Sequence, residues 1–229
     1  MYIESDFVFK TSQSLFGTSH LHHVVDKTEK TEVLNFFTEH AHIKLPNSKK
    51  DIIKINKSNV NILENKEYYS TNVPDDLDFY IFITHYKKKN MVFLISRFTD
   101  FGFDLPKIIL GEMNILKNDY YKNTVFEATR VRCVDGRFLF LATDIILNKG
   151  EIIKSTYIER LCLLGELFKN DYKECLHKFP FRFQIVKTFQ NLNDLMTHST
   201  KLPYTTNRIL FRENYTTGKN KILSFETTK

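Results

Sequence analysis

The side chains of this 229-residue chain that could do chemistry fall into a histidine group and a cation group. His20, His22 and His23, then His40 and His42, contain two H-x-H pairs able to offer imidazoles to zinc. No cysteine or carboxylate completes a metal-ligand spacing around them, and the second pair falls at a helix end, where imidazole interacts with the helix dipole. No metal site and no cofactor are therefore expected. The cations are Lys87, Lys88 and Lys89 in one run, Arg130 and Arg132 on one strand face, then Arg137, Lys149, Arg208, Arg212, Lys219 and Lys221. Their chemistry is phosphate contact, which positions a nucleic acid and makes its affinity salt-dependent. Tyr86, Tyr120 and Tyr121 offer π faces for base stacking, worth about 1–3 kcal/mol per base.

The elements that must carry these groups are readable from capping and periodicity. Asp26 stands three residues ahead of Glu29, and Val33, Leu34, Phe37 and Ala41 recur at helical spacing, which predicts a helix over about 27–43. The stretch Pro46–Lys50 ends it, and short strands are expected around Ile52–Ile55 and Val60–Leu63. Phe79–His85 and Met91–Arg97 read as a hairpin turning through Lys87–Asn90. An irregular region follows Pro106. Thr124–Cys133 and Arg137–Leu147 form a second hairpin with Asp135-Gly136 at its turn, a pair suited to positive φ. A helix runs from Ser155 to about Phe168, with Ile158, Leu161, Cys162, Leu164 and Leu167 on its buried side. Phe181–Thr188 is strand-like, Leu192–Thr197 a short helix, and Arg208–Glu213 with Lys221–Phe225 a last hairpin. Antiparallel hairpins interrupted by helices indicate an α+β chain. Residues 1–65 are read as an N-terminal helix and extension packing on, or reaching from, a core domain over 66–229.

Bulk composition sets limits. Apolar residues make up 42% and aromatic residues 14%, with 21 Phe, which excludes a disordered chain. With 7 Gly, 5 Pro and no internal repeat, solenoid and multi-linker architectures are also excluded. The apolar runs, such as Phe138–Ala142, are far shorter than the roughly 20 residues of a membrane span. The N-terminus lacks the pattern of a secretory signal. Cys133, Cys162 and Cys175 are odd in number and unpaired in spacing, as in a reducing compartment, so the expected location is cytoplasmic or nuclear. A net charge of +6 favours a polyanionic partner.

Several stretches together resemble the nucleotidyltransferase domain shared by mRNA-capping guanylyltransferases, nucleic-acid ligases and the cap-binding domain of snurportin. Thr124–Val131 is similar to the family's T-x-L-D-G-E-x-V strand. Phe138–Ile146, Lys149-Gly150 and Ile158–Leu161 resemble its YLIFDIL, NG and ERL block. Leu202–Phe211 is similar to PYKTDGLIF, Asn220–Phe225 to NKLLKW, and Asn72–Leu77 to the VPSDL lead-in of snurportin. The match is colinear over roughly residues 68–226. It implies an antiparallel-sheet fold of guanylyltransferase and snurportin type, without the C-terminal oligonucleotide-binding barrel of the enzymes, because the sequence ends just after the last matched stretch.

Departures from the pattern shape the functional expectation. The family's nucleophile is the lysine of K-x-D-G, and at the strand matched to it, Ile83–Lys89, no Asp-Gly follows a lysine. Cys133-Val134-Asp135-Gly136-Arg137 imitates K-x-D-G-x-R with Cys for Lys, but Asp-Gly is equally the demand of a tight hairpin. Of the paired acids in D-G-E, which share one strand face, only Glu127 remains and Thr129 stands in place of the other; the TDG strand carries Asn207 and Arg208; the closing lysines are replaced by Ser224 and Glu226. The expectation is therefore a chain that is not an enzyme and has no catalytic residue. It would be a monomeric factor binding structured RNA or a ribonucleoprotein such as the ribosome, with no membrane. A snurportin-like adaptor for methylated-guanosine caps is the alternative, although the chain has no Trp and its first 45 residues no Arg. A residual mRNA guanylyltransferase is the third reading.

Overall fold

The computed structural model describes residues 8–16, 19–45, 52–64, 67–74, 77–111, 113–174, 182–214 and 222–226. In chain order the elements are β1 (Thr11–Phe16), β2 (Ser19–Val24), α1 (Lys27–Ala41), β3 (Ile52–Lys54), β4 (Tyr68–Val73), β5 (Asp78–Tyr86) and β6 (Lys89–Ser96). They continue with β7 (Ile108–Gly111), β8 (Asn114–Ile115), β9 (Thr124–Arg132), β10 (Phe138–Asn148), β11 (Glu151–Ile152) and α2 (Tyr157–Glu166). The last are β12 (Tyr172–Lys173), β13 (Arg182–Ile185), α3 (Leu192–Ser199), β14 (Arg208–Glu213) and β15 (Ile222–Glu226). The α+β class expected from the sequence is the class observed.

Two sheets dominate. A nine-stranded sheet runs β1-β2-β7-β6-β5-β9-β10-β11, with β13 pairing in parallel against β10. A four-stranded sheet runs β3-β15-β14-β4. The N-terminal segment enters both, since β2 pairs with β7 and β3 with β15.

Helix α1 starts where Asp26 accepts hydrogen bonds from the Thr28 and Glu29 amides, and it ends at His42, whose φ of 57° is left-handed. Its stripe of Val33, Leu34, Phe37 and Ala41 is buried on one face of the large sheet against Tyr80, Phe82, Phe93, Val125 and Leu147. Each of these large side chains removed from water contributes roughly 1.5–3 kcal/mol. The opposite face packs Ile81, Ile83, Phe126, Phe140 and Phe183 beneath α2. Thr156 and Glu159 close a reciprocal capping box at the start of α2. The helix ends at Glu166 and runs on as a π turn over Leu167–Asp171, where the sequence pattern extends the helix to Phe168. Helix α3 buries Leu195 on Ile209, Phe211 and Leu223 of the small sheet.

One expected strand is a turn. Val60–Leu63 forms a 3-10 turn because Asn56 and Asn59 bind nearby amides, Ser58 to Asn56 Oδ1 and Asn56 to Asn59 Oδ1, and so compete with extended pairing. Among the described residues, no helix is long and apolar enough to cross a membrane.

Candidate nucleic-acid interface

Of the cations singled out in the sequence, the structure brings together two sets at opposite ends of β9. At the far end of the strand, Arg130 and Arg132 lie on one face, each guanidinium 5.9 Å from the centre of the Phe138 ring across the hairpin. Arg132 is exposed and Arg130 half-buried. The register that holds them is set by the turn: Cys133 and Arg137 pair through their backbones, and Gly136, with φ of 81°, completes it with no atom within 4 Å of an added Cβ. Asp-Gly therefore serves the hairpin. Asp135 accepts from Arg137 Nε at 2.6 Å, which holds its carboxyl below its ordinary value.

At the other end, the β5–β6 turn carries Lys87 and Lys88 and the β10–β11 turn carries Lys149. Lys87 and Lys88 have φ of 46° and 66°, Asn123 69° and Lys149 54°. Four of the five described non-glycine residues with positive φ therefore cluster here, each unfavourable for a side chain bearing Cβ. Lys87 Nζ donates to Glu32 at 2.6 Å, Lys122 pairs with Asp119 at 2.8 Å, and the Lys149 ammonium sits 4.6 Å above the Tyr120 ring. Lys88 is exposed and Lys89 half-buried.

Arg208 and Arg212 are corrected. Both were expected to face a phosphate backbone, yet both are buried between the two sheets. Arg208 pairs with Asp78 at 3.2 Å, and Thr129 donates to the same carboxylate. Arg212 donates to Asp144 at 3.0 Å and to Glu127, while Arg97 approaches Glu127 at 3.3 Å and Arg160 grips Asp144 through Nε and Nη2 at 2.7 and 3.0 Å. Burial alone would raise the Glu127 carboxyl, but Arg97 and Arg212 hold it below the usual carboxylate range. At Asp144 burial prevails over its guanidinium neighbours and lifts it above its ordinary value. Such a network ties β14 of one sheet to β5, β9 and β10 of the other.

Tyr86 and Tyr120 are corrected as stacking residues because both are buried: Tyr86 packs on Phe9, Phe36 and Phe93, and the Tyr120 hydroxyl donates to Asp171 at 2.8 Å. Tyr121 is half-buried and donates to the Met113 carbonyl at 3.4 Å. Lys219 and Lys221 lie outside the described residues, as does Cys175. His40 donates to the Phe36 carbonyl at 2.9 Å and His42 caps α1. Among the described residues, no three histidines, cysteines or carboxylates are placed to hold a metal. Sequence reasoning did not single out Arg97, Asp78 or Asp144. Their signal is weak, an acid at the start of one strand, an acid inside another, and an arginine just after a third.

No family model matches the sequence, and no curated protein matches it. Among solved structures, mycobacterial DNA ligase D complexed with ATP and MES is 13% identical, with a TM-score of 0.41 over 69% of this chain and 54% of that one. The ligase domain of M. tuberculosis LigD is 12% identical, with a TM-score of 0.42 over 78% of this chain and 62% of that one. The chain thus covers less than two thirds of either. The expectation that it is not an enzyme is withdrawn as a correction: these two solved structures are of ligases, one of them complexed with ATP and MES. At these scores the likeness assigns this chain no substrate and no reaction.

Proposed function

We propose that this chain binds structured RNA, free or in a ribonucleoprotein such as the ribosome, through phosphate contacts made by the β9–β10 hairpin. The observation that carries the reading is the pair Arg130 and Arg132, held on one strand face against Phe138 with Arg132 in solvent. Guanidinium groups are planar forks suited to phosphate oxygens, and a strand backbone fixes their spacing without ordering a loop on binding. A net charge of +6 supports the same polarity of partner. The finer assignment of the fold, to a guanylyltransferase and snurportin type, belongs to this proposal and rests on the colinear stretches between residues 68 and 226.

The test is a fluorescence-anisotropy titration of a labelled RNA hairpin with the wild-type chain and with Arg130→Glu/Arg132→Glu. Two lost phosphate contacts and two added repulsions predict at least about tenfold weaker binding at low salt. Equal affinity in the two proteins would remove the hairpin from the interface.

A further inference from the structure

The two basic ends of β9 are joined by a chain of contacts along one side of the large sheet. Starting at Lys149, the ammonium lies over Tyr120, whose hydroxyl reaches Asp171 at the end of the π turn; Lys117 binds the same carboxylate at 2.9 Å. Next in sequence, Tyr172 packs on Phe168 and Phe183, and Phe168 meets Phe126 in the middle of β9. Phe183 stacks on Phe140, the register partner of Arg130. Two further lysines, Lys169 on the π turn and Lys173 on β12, are exposed on this middle layer. The carboxylates within it are largely engaged: Asp171 by Lys117 and Tyr120, Asp119 by Lys122, and Glu174 by Arg182 at 3.5 Å, which leaves Glu166 exposed beside the π turn.

We infer that Lys169 and Lys173 bridge the two ends into one continuous track for an extended polyanion, a base-paired RNA helix lying along β9. This rests on the RNA-binding reading of the hairpin and gives it a footprint. From Thr124 to Arg132 the nine residues of β9 span about 26 Å at roughly 3.3 Å per step. At roughly 2.8 Å of axis per base-pair step of an A-form helix, that is about nine steps of an RNA duplex. The tyrosines near the lysine end are buried or half-buried and bonded through their hydroxyls, so contact there is with phosphates. A duplex, which exposes its backbone and hides its bases, fits such a track; a single strand would leave its bases unstacked.

The experiment uses the full chain and labelled RNA hairpins with stems of about 4, 8 and 12 base pairs, bracketing the ~26 Å track, together with an unpaired strand of the longest length. Affinity is expected to rise at least about tenfold between the shortest and middle stems and then level off, with the unpaired strand weaker than the longest stem. Lys169→Glu/Lys173→Glu should bind the two longer stems about tenfold more weakly, the size expected for two phosphate contacts, while its circular dichroism stays unchanged because both side chains are exposed. Length-independent binding, an unaffected Lys169/Lys173 variant, or preference for the unpaired strand would overturn the track while leaving the hairpin reading intact. Failure of every RNA to bind would instead remove the hairpin reading itself.

Discussion

Asp144→Asn should destabilise the chain far more than Arg212→Met, although the two residues are hydrogen-bonded partners. The difference follows from counting charges between the sheets. Among the described side chains, Arg97, Arg160, Arg208 and Arg212 meet Asp78, Glu127 and Asp144, four cations against three anions. Removing Arg212 leaves a one-to-one set, Arg97 with Glu127, Arg160 with Asp144 and Arg208 with Asp78, and methionine retains much of the packing on Tyr157. The loss is then hydrogen bonds to charged groups, about 1.5–3 kcal/mol. Removing the Asp144 charge leaves Arg160 without its carboxylate and Arg212 with only Glu127, both at most 5% exposed. Stripping the partner from a buried ion costs about 3–5 kcal/mol, or on the order of 10 °C in Tm for a chain of this size. Urea unfolding followed by circular dichroism gives both values. If Arg212→Met is as damaging as Asp144→Asn, the charge count is wrong and Arg212 acts in some way other than as the surplus cation.

Burial and the nearby Lys107 and Lys30 lower the His23 pKa to about 4. A depressed folded-state value gives stability that is present above the unfolded pKa near 6.5 and is lost as pH falls towards 4, up to about 3 kcal/mol by linkage. Urea midpoints at pH 7 and pH 4.5 should show a clearly smaller acid loss in His23→Gln than in wild type; parallel losses would sink the assignment. Gly150 has φ of 89°, and an added Cβ would lie 2.9 Å from the Lys122 carbonyl oxygen, whereas Gly136 has open space around it. Gly150→Ala is therefore expected to cost about 2 kcal/mol or more and Gly136→Ala about 1 kcal/mol, the left-handed backbone term alone; thermal melts giving the reverse order would contradict the geometry.

Local rules made some of the fold legible and long-range ones hid the rest. Helix α1 could be read because Asp26 and the Val33–Ala41 stripe act within a few turns, and the β9–β10 hairpin because Asp135-Gly136 fixes its own turn. Strand β4 could not, since its Ser70, Thr71 and Asn72 look solvent-facing. They are buried because each donates to a distant carbonyl, those of Phe189, Lys187 and Leu195. The same cause misplaced Arg208 and Arg212 of the candidate site. In Arg208–Glu213 the two arginines share one strand face with Leu210 and read as solvent-facing, but that face is buried. The partners of Arg208 and Arg212, Asp78, Glu127 and Asp144, stand 68 to 130 residues earlier in the chain. The shared strand face of Arg130 and Arg132 was legible because a two-residue spacing on a strand needs no distant partner to set it.

Phosphate contact by the surface and half-buried cations is read directly by the salt dependence of RNA affinity. With Arg130, Arg132, Lys149, Lys169 and Lys173 engaged, log K against log salt concentration for the longest hairpin should fall with a slope of about −4, at roughly 0.7–0.9 per neutralised phosphate. Arg130→Glu/Arg132→Glu should flatten it by about 2. A wild-type slope near zero, or one that the double substitution leaves unchanged, would contradict the assignment of these side chains to an RNA backbone.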